Sequence, residues 1–277
     1  MSTLVHLSDL HFDRVDPRVV EALASSVSEA KPDCIVLSGD LTQRAFRWQF
    51  RRGMQFLARF KAPVLIIAGN HDVPLHRPIT RLFQPLARYK KRVTTEMMPV
   101  WDNGQVCVVG INTARGFSRR WKGFWKDGSI RRHQVKQAVD VFKNSLAPFR
   151  VVVTHHPLFV DRKEDEHDLV AGHRAAIGSF ADFGVDLFLY GHLHVPHVKQ
   201  VTVRSGDGPP RTVVGVMAGT GCSTRTRGVA NSYNRIRFDE HGFFVDVLDF
   251  DGNAFIPREP VRLESSRRRT NPAHRST

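Results

Sequence analysis

The most hydrophobic run of the chain, Pro63-Val64-Leu65-Ile66-Ile67-Ala68, stops abruptly at Gly69-Asn70-His71-Asp72. A short apolar run rich in β-branched residues and closed by glycine predicts a strand buried on both faces of a helix-covered sheet. The same pattern recurs. Residues 3–12 alternate through a strand and present Asp9 and His11 two apart, which on extended backbone puts both side chains on one side. Asp33–Leu37 is a buried strand ending in Ser38-Gly39-Asp40, and 105–111 another, ending in Asn112-Thr113. Phe149–Val153 delivers Thr154-His155-His156-Pro157, and Asp186–Tyr190 runs into Gly191-His192-Leu193-His194.

Between these strands the apolar period changes to that of helices. Asp16-Pro17 opens one, with Val19, Val20, Leu23, Ala24 and Val27 inward. Others are predicted over 43–60, with Phe46, Phe50, Met54 and Leu57 inward, and over 79–89, 130–144 and 173–183. The arginine face of 43–60 reads best as a solvated surface. After His197 the helical period disappears, and 198–203, 212–217, 232–238 and 243–250 read as an antiparallel block of strands. Helix-strand alternation followed by late strands is an α/β arrangement. The organisation expected is one domain over 1–256 and a basic C-terminal tail over 257–277, with residues beyond about 264 unstructured.

Composition narrows the class. No apolar run approaches the roughly 18 residues of a membrane span, and the first residues enter a strand without a leader, so a cytoplasmic protein is expected. Cys34 and Cys107 lie in strand-like runs and Cys222 in a small-residue loop, a pattern of buried thiols, not of a disulfide framework. The 41 Lys and Arg against 27 Asp and Glu give a net charge of +14. That calls for an anionic partner: a phosphorylated small molecule, an acidic membrane surface or nucleic acid. Residues 115–126 concentrate the tendency, with Arg115, Arg119, Arg120, Trp121, Phe124 and Trp125 at neither helical nor strand period. They read either as an aromatic cluster under a long loop or as a lid over an anionic, partly apolar ligand.

The chemistry lies at the strand ends. Asp9 with His11, Asp40, Asn70 with His71, His155, and His192 with His194 each follow a predicted strand. His6, inside its strand, is the contrasting case of a core histidine. Gly69–Asp72 alone could be a helix-capping turn; five such groups at one topological position call for a common explanation, since ligand sites in α/β sheets gather at the carboxyl ends of strands. Imidazole, amide and carboxylate without thiolate suit Mn, Fe, Zn or Co, and more than four such ligands call for two divalent ions, Mn being favoured. Neither a phosphate-binding loop with its lysine nor a Gly-x-Ser-x-Gly elbow is present.

Asp9-x-His11, Gly39-Asp40, Gly69-Asn70-His71-Asp72, His155 with His156-Pro157, and Gly191-His192-x-His194 resemble, in order, the five motifs of the calcineurin-like metallophosphoesterases. Ala218-Gly219-Thr220 and Asn231-Ser232-Tyr233-Asn234 are similar to the bacterial branch that holds cyclic-nucleotide and glycerol phosphodiesterases. The resemblance implies a four-layer αββα sandwich of two mixed β-sheets flanked by helices. It implies that Asp9, His11 and His194 hold one metal, that Asn70, His155 and His192 hold the other, and that Asp40 bridges them. His71 becomes the catalytic group that stabilises the transition state and, titrating near neutrality, protonates the leaving oxygen. Members that cleave a lipid A precursor carry Arg at the position of His71, which counts against that activity. The function expected is a two-metal phosphodiesterase acting on a cyclic nucleotide or glycerophosphodiester. Arg115, Arg119, Arg120, Trp121 and His156 are its candidate substrate contacts. The alternatives are a membrane-surface hydrolase of a phospholipid or lipid-linked diphosphate, and a nuclease or nucleic-acid-binding protein using the basic surface.

Overall fold

A computed structural model of the chain describes residues 1–117, 126–204, 209–258 and 261–264. Strands β1 (Ser2–Leu7), β2 (Cys34–Leu37) and β3 (Val64–Ile66) alternate with helices α1 (Pro17–Glu29) and α2 (Arg47–Leu57). Short helices α3 (Pro78–Phe83) and α4 (Ala87–Arg92) follow, then β4 (Val100–Asp102), β5 (Val106–Gly110), α5 (Arg132–Asn144), β6 (Phe149–Val153), α6 (His173–Asp182) and β7 (Leu187–Tyr190). The last elements are β8 (His197–Val203), β9 (Arg211–Met217), β10 (Ser232–Phe238), β11 (Gly242–Phe250), β12 (Phe255–Pro257) and β13 (Val261–Glu264).

Two mixed sheets result. One runs β12-β11-β10-β1-β2-β3, with β13 also paired to β11; the other runs β4-β5-β6-β7-β9-β8. Strands β1, β2 and β3 are parallel neighbours, as are β5, β6, β7 and β9. Because a strand turns alternate side chains to opposite faces, each apolar run feeds two cores. Leu4, Val36, Leu65, Val108, Val151, Val153, Leu187 and Leu189 meet between the sheets. Val5, Leu7, Ile35 and Leu37 instead face α1 and α2 with Leu23, Val27 and Phe50. On the far side Val109, Val152, Phe188 and Tyr190 pack with Ala138, Phe142 and Phe180 of α5 and α6. Helix, sheet, sheet, helix is the four-layer αββα sandwich, and burial on both faces is why its strands read as continuous apolar runs.

The differences from expectation have local causes. Helix α2 begins at Arg47, not Gln43; Gln43 to Phe46 forms a connecting loop in which Ala45 takes a left-handed backbone. The helix expected over 79–89 is two, separated at Pro85, whose ring removes the N–H a continuous helix needs. Strand β4 was not foreseen; three residues at a sheet edge carry too short a pattern. The late strands do not form one block. Strands β8 and β9 extend the second sheet through the β7–β9 parallel pair, while β10 and β11 extend the first through antiparallel pairing of β10 with β1. Beyond Pro257 the chain is not all tail, because Val261–Glu264 pairs with Gly242–Val245; residues 265–277 lie outside the described residues.

His6 is the core histidine anticipated. It is buried, Asn234 Nδ2 donates to its Nδ1 at 3.2 Å, and its Nε2 lies 2.9 Å from the Ser38 hydroxyl. The three thiols are free and buried. Burial pushes Cys34 up to about 12 and Cys107 up to about 11, and raises Cys222 as well. All three are therefore neutral at pH 8, and only the thiolate attacks a disulfide reagent. An aromatic disulfide reagent at pH 8 is expected to label none of the three in the folded chain and all three in guanidinium; rapid labelling without denaturant would contradict this burial.

Candidate metal centre

The carboxyl ends of β1, β2, β3, β6 and β7 open at one edge of the sandwich, and the loops leaving them stay tied together. Beyond β1, the Asp9 N–H donates to the Gly39 carbonyl at 3.1 Å and the His11 N–H to the Asp40 carbonyl at 3.0 Å. Asp9 and His11 do not lie on extended backbone, contrary to the simple strand reading. Their φ angles are 53° and 46°, those of Asp40, His192 and His194 are 54°, 76° and 61°, and all five are left-handed. Such conformations cost on the order of 1–3 kcal/mol each for residues with a Cβ and persist only where the surroundings over-determine them. His192 and His194, two apart, consequently diverge to different neighbours.

Asp9, His11 and His194 form one convergence. His11 Nε2 and His194 Nε2 are 3.2 Å apart, and Asp9 Oδ1 lies 3.6 and 3.1 Å from them. Asn70, His155 and His192 form the other: Asn70 Oδ1 is 3.0 Å from His155 Nε2 and 3.0 Å from His192 Nδ1, which are themselves 3.3 Å apart. Asp40 Oδ2 stands between the two groups, 3.7 Å from His11 Nε2 and 3.5 Å from His155 Nε2.

The opposite side of each ring fixes its proton. His155 Nδ1 donates to the Ser38 carbonyl at 2.8 Å and His194 Nδ1 to the Arg225 carbonyl at 2.7 Å, with His11 Nδ1 3.4 Å from the Thr42 carbonyl. A carbonyl oxygen only accepts, so the neutral rings turn their Nε2 lone pairs inward. Those lone pairs face carboxylate and amide oxygens, acceptors against acceptors. Asp9 Oδ1, fully buried, has no hydrogen-bond donor. An array of this kind calls for protons or a cation between its acceptors.

Burial works against charge on Asp9 and Asp40, yet the imidazoles outweigh it. His194 and His11 beside Asp9, and His155 and His71 beside Asp40, hold both carboxyls well below the usual range. Reciprocally, burial disfavours a charged His155, but Asp40 and Asp9 push it up to about 9. A cation bound here takes the place of such protons. Asp72 shows the opposite balance, raised to about 7 by burial and by Asp40. It accepts from the Gly69 N–H at 3.0 Å and from the Thr42 N–H and hydroxyl, both at 2.9 Å, tying the Asp40 loop to the Asn70 turn.

Residues 2–196 match the family model described as calcineurin-like phosphoesterase. The chain belongs to the calcineurin-like phosphoesterases. Membership makes it a phosphoester hydrolase and implies a dimetal centre. A protein of Ruthia magnifica subsp. Calyptogena magnifica named "Probable cyclic nucleotide phosphodiesterase" is 20% identical over 201 residues, 69% of this chain and 78% of that one. In fold the chain is similar to a dimetal phosphatase from Danio rerio, with a TM-score of 0.65 at 12% identity, covering 96% of this chain and 99% of that chain. It is likewise similar to a purple acid phosphatase from yellow lupin seeds, with a TM-score of 0.67 at 12% identity, covering 92% of this chain and 52% of that chain.

Of the residues expected at the site of this phosphoesterase, Asp9, His11, Asp40, Asn70, His155, His192 and His194 are brought together. His71 sits at the rim, its backbone N–H donating to Asp40 Oδ1 at 2.8 Å. It does not titrate near neutrality, because burial lowers it to about 4 in spite of Asp40. His156 is a different kind of residue from the substrate contact expected. It is fully buried; its Nδ1 is 2.8 Å from the Thr113 hydroxyl and its Nε2 donates to the Lys126 carbonyl at 2.6 Å, so both nitrogens serve the protein. Arg115 is half-buried beside Arg131 and is not among the converging groups. Arg119, Arg120 and Trp121 lie outside the described residues.

Two residues escaped sequence reasoning. Asp168 approaches His192 Nε2 at 3.6 Å, on the side away from Asn70. Arg225, on an exposed loop, places Nη1 3.1 Å from His71 Nε2 while its carbonyl holds His194. Nothing in the local pattern of either segment marks them. The late motifs do explain the loop's position: the Thr220 hydroxyl donates to the Asp9 carbonyl at 2.6 Å, and Asn231 Nδ2 to the Thr220 and Ser223 carbonyls at 3.1 and 2.8 Å.

Glycines precede Asn70 and His192 for want of room. A Cβ at Gly69 would lie 2.1 Å from Asp40 Oδ1, and one at Gly191 would lie 1.9 Å from the Ser8 hydroxyl and 2.5 Å from Asp9 Oδ2. Gly69→Ala is therefore expected to destabilise the fold by about 1–3 kcal/mol through overpacking, read by urea unfolding. An unchanged unfolding midpoint would show that Asp40 can move aside.

Proposed function

We propose that the chain hydrolyses phosphodiesters at a centre of two divalent cations, with a cyclic nucleotide or glycerophosphodiester as substrate. The observation that carries this is the inward convergence of lone pairs on a buried carboxylate oxygen, Asp9 Oδ1, that lacks any donor. Asp9, His11 and His194 would hold one cation and Asn70, His155 and His192 the other. Asp40, with one oxygen between the two groups, suits the bridging place. Two such ions supply an activated water and neutralise charge on the phosphate. Imidazole, amide and carboxylate ligands suit Mn, Fe or Zn, with Mn favoured. The name of the Ruthia relative supports the cyclic nucleotide reading.

The chain's own residues then have distinct tasks. Asp168 is placed to hold His192 with Nδ1 toward the cation. His71 Nδ1 donates to the Gln43 carbonyl at 2.8 Å, which leaves Nε2 as acceptor for the Arg225 guanidinium. A neutral His71 in that tautomer has no Nε2 proton to give a leaving oxygen. Arg225 offers N–H groups to a phosphate oxygen at this rim, always charged and able to donate from a planar fork. We assign Arg225 to substrate phosphate binding, and His71 to orienting it and Asp40.

Metal content and turnover separate these roles. Asn70→Ala and His192→Ala are expected to lose bound metal together with Mn²⁺-dependent hydrolysis of a chromogenic phosphodiester. His71→Ala keeps its metal and, with Arg225 and Asp40 no longer oriented, loses roughly 100-fold in kcat. Metal loss in His71→Ala would make His71 a ligand instead.

Arg225→Ala preserves the main-chain carbonyl that holds His194, so its metal content should match the parent's. Loss of a charge-assisted hydrogen bond of about 1.5–3 kcal/mol lowers kcat/KM by roughly 10- to 100-fold, with partial recovery in Arg225→Lys. Parental kcat/KM in Arg225→Ala would remove Arg225 from the site.

A further inference from the structure

Helix α3 is inside out. Its buried side chain is Arg81, which donates to the Val73 carbonyl at 3.1 Å, while Ile79, Leu82 and Phe83 point into solvent at 76%, 55% and 76% exposure. Leu75, just before it, is 56% exposed. Four large apolar side chains on nine consecutive residues of a folded surface form a patch of the kind that marks an interaction site. Phe117, 45% exposed, adjoins it: the preceding Gly116 runs so close to α3 that a Cβ there would lie 2.0 Å from the Arg81 carbonyl oxygen.

The setting of the patch is cationic. From Val73 to Thr95 the chain has no Asp or Glu and carries Arg77, Arg81, Arg88, Lys90, Lys91 and Arg92. Arg77, Lys90, Lys91 and Arg92 are exposed. The segment is also fixed to the hydrolytic rim. It follows Asp72 directly, His76 stacks on Phe46 with ring centroids 4.5 Å apart, and Arg88 donates to the Ala45 carbonyl at 2.9 Å.

Three occupants could cover such a face, and the charges decide among them. A second copy of this chain would set cation against cation, with no acidic residue in the segment to pair them. Nucleic acid satisfies the cations but leaves Ile79, Leu82 and Leu75 without apolar cover. An anionic lipid surface satisfies both, taking the apolar tips into the acyl boundary while Lys and Arg stay among the headgroups. We propose that Leu75 to Arg92 docks the protein on anionic bilayers, with the mouth of the metal centre beside the lipid surface. The surface is separate from the hydrolytic chemistry and does not depend on it.

The test is co-sedimentation of the full chain with vesicles of phosphatidylcholine alone and with about 30% phosphatidylglycerol, at a salt concentration near 0.1 M where long-range attraction is screened. The expected result is binding to the anionic vesicles and, for Ile79→Glu/Phe83→Glu, a partition coefficient lower by roughly tenfold or more. Leu82→Glu alone should move in the same direction. Leu146→Glu, at a side chain 97% exposed elsewhere, should bind as the parent does. Hydrolysis of the soluble chromogenic phosphodiester should be unchanged in all three variants, and amide exchange over 75–83 of the parent should slow on anionic vesicles. Unaltered partition in the double variant would overturn the proposal, placing binding in the net charge or the basic tail. So would an absence of parental binding to either vesicle, or loss in the double variant of duplex DNA binding or of self-association in place of vesicle binding.

Discussion

Two carboxylates buried among histidines set the terms for the rest of the structure. Asp9 and Asp40 are withdrawn from water at the ends of adjacent strands, and their charge is tolerable only with positive charge beside them. His155 and His194 supply it by holding protons, or cations supply it by binding. Getting both carboxylates and the imidazoles within a few ångströms forces five residues into left-handed backbone. The summed cost is comparable with the whole net stability of a typical domain, about 5–15 kcal/mol. Only a thoroughly buried frame withstands that, and three apolar layers around two sheets are such a frame.

The loops shape the polar cluster by tethering the far side of its imidazoles. Backbone carbonyls of Ser38 and Arg225 decide which nitrogen of His155 and His194 faces inward, and Asp72 ties two ligand-bearing loops to one another. Apart from the Gly69–Asp72 contact within one turn, these join residues 30 to 117 positions apart, so the geometry of the cluster belongs to the sandwich as a whole. The Arg225 loop meets the cluster twice, its carbonyl holding His194 and its guanidinium lying against His71. Burial lowers His71 to about 4 in spite of Asp40.

The rim has a different logic. Helix α3 buries its arginine and exposes its apolar side chains, reversing the arrangement by which a helix ordinarily joins a core. Among the described residues no helix is long and apolar enough to cross a membrane, so any lipid contact made by these helices is made from the surface. Part of the basic excess lies in the segment from Arg77 to Arg92, which follows Asp72 and has no acidic residue.

Much of this was legible in the sequence alone. Apolar runs buried on both faces identified the central strands, since such runs fit sheets covered by helices on one side and by another sheet on the other. The clustering of these seven residues was legible because each stands soon after its strand, so strand order alone gathers them at one edge. Tertiary structure decided what depends on contacts between distant segments. The sheet that each late strand joins is set by pairing partners, β1 for β10 and β7 for β9. The contacts of Asp168 with His192 and of Arg225 with His71 were invisible because an ordinary loop residue is distinguished only by what lies across from it. The convergence of Asp9 and His11 was foreseen for the wrong reason. Left-handed backbone, sustained by burial and by carbonyls from other loops, turns those side chains together, and no local pattern of residue types encodes it.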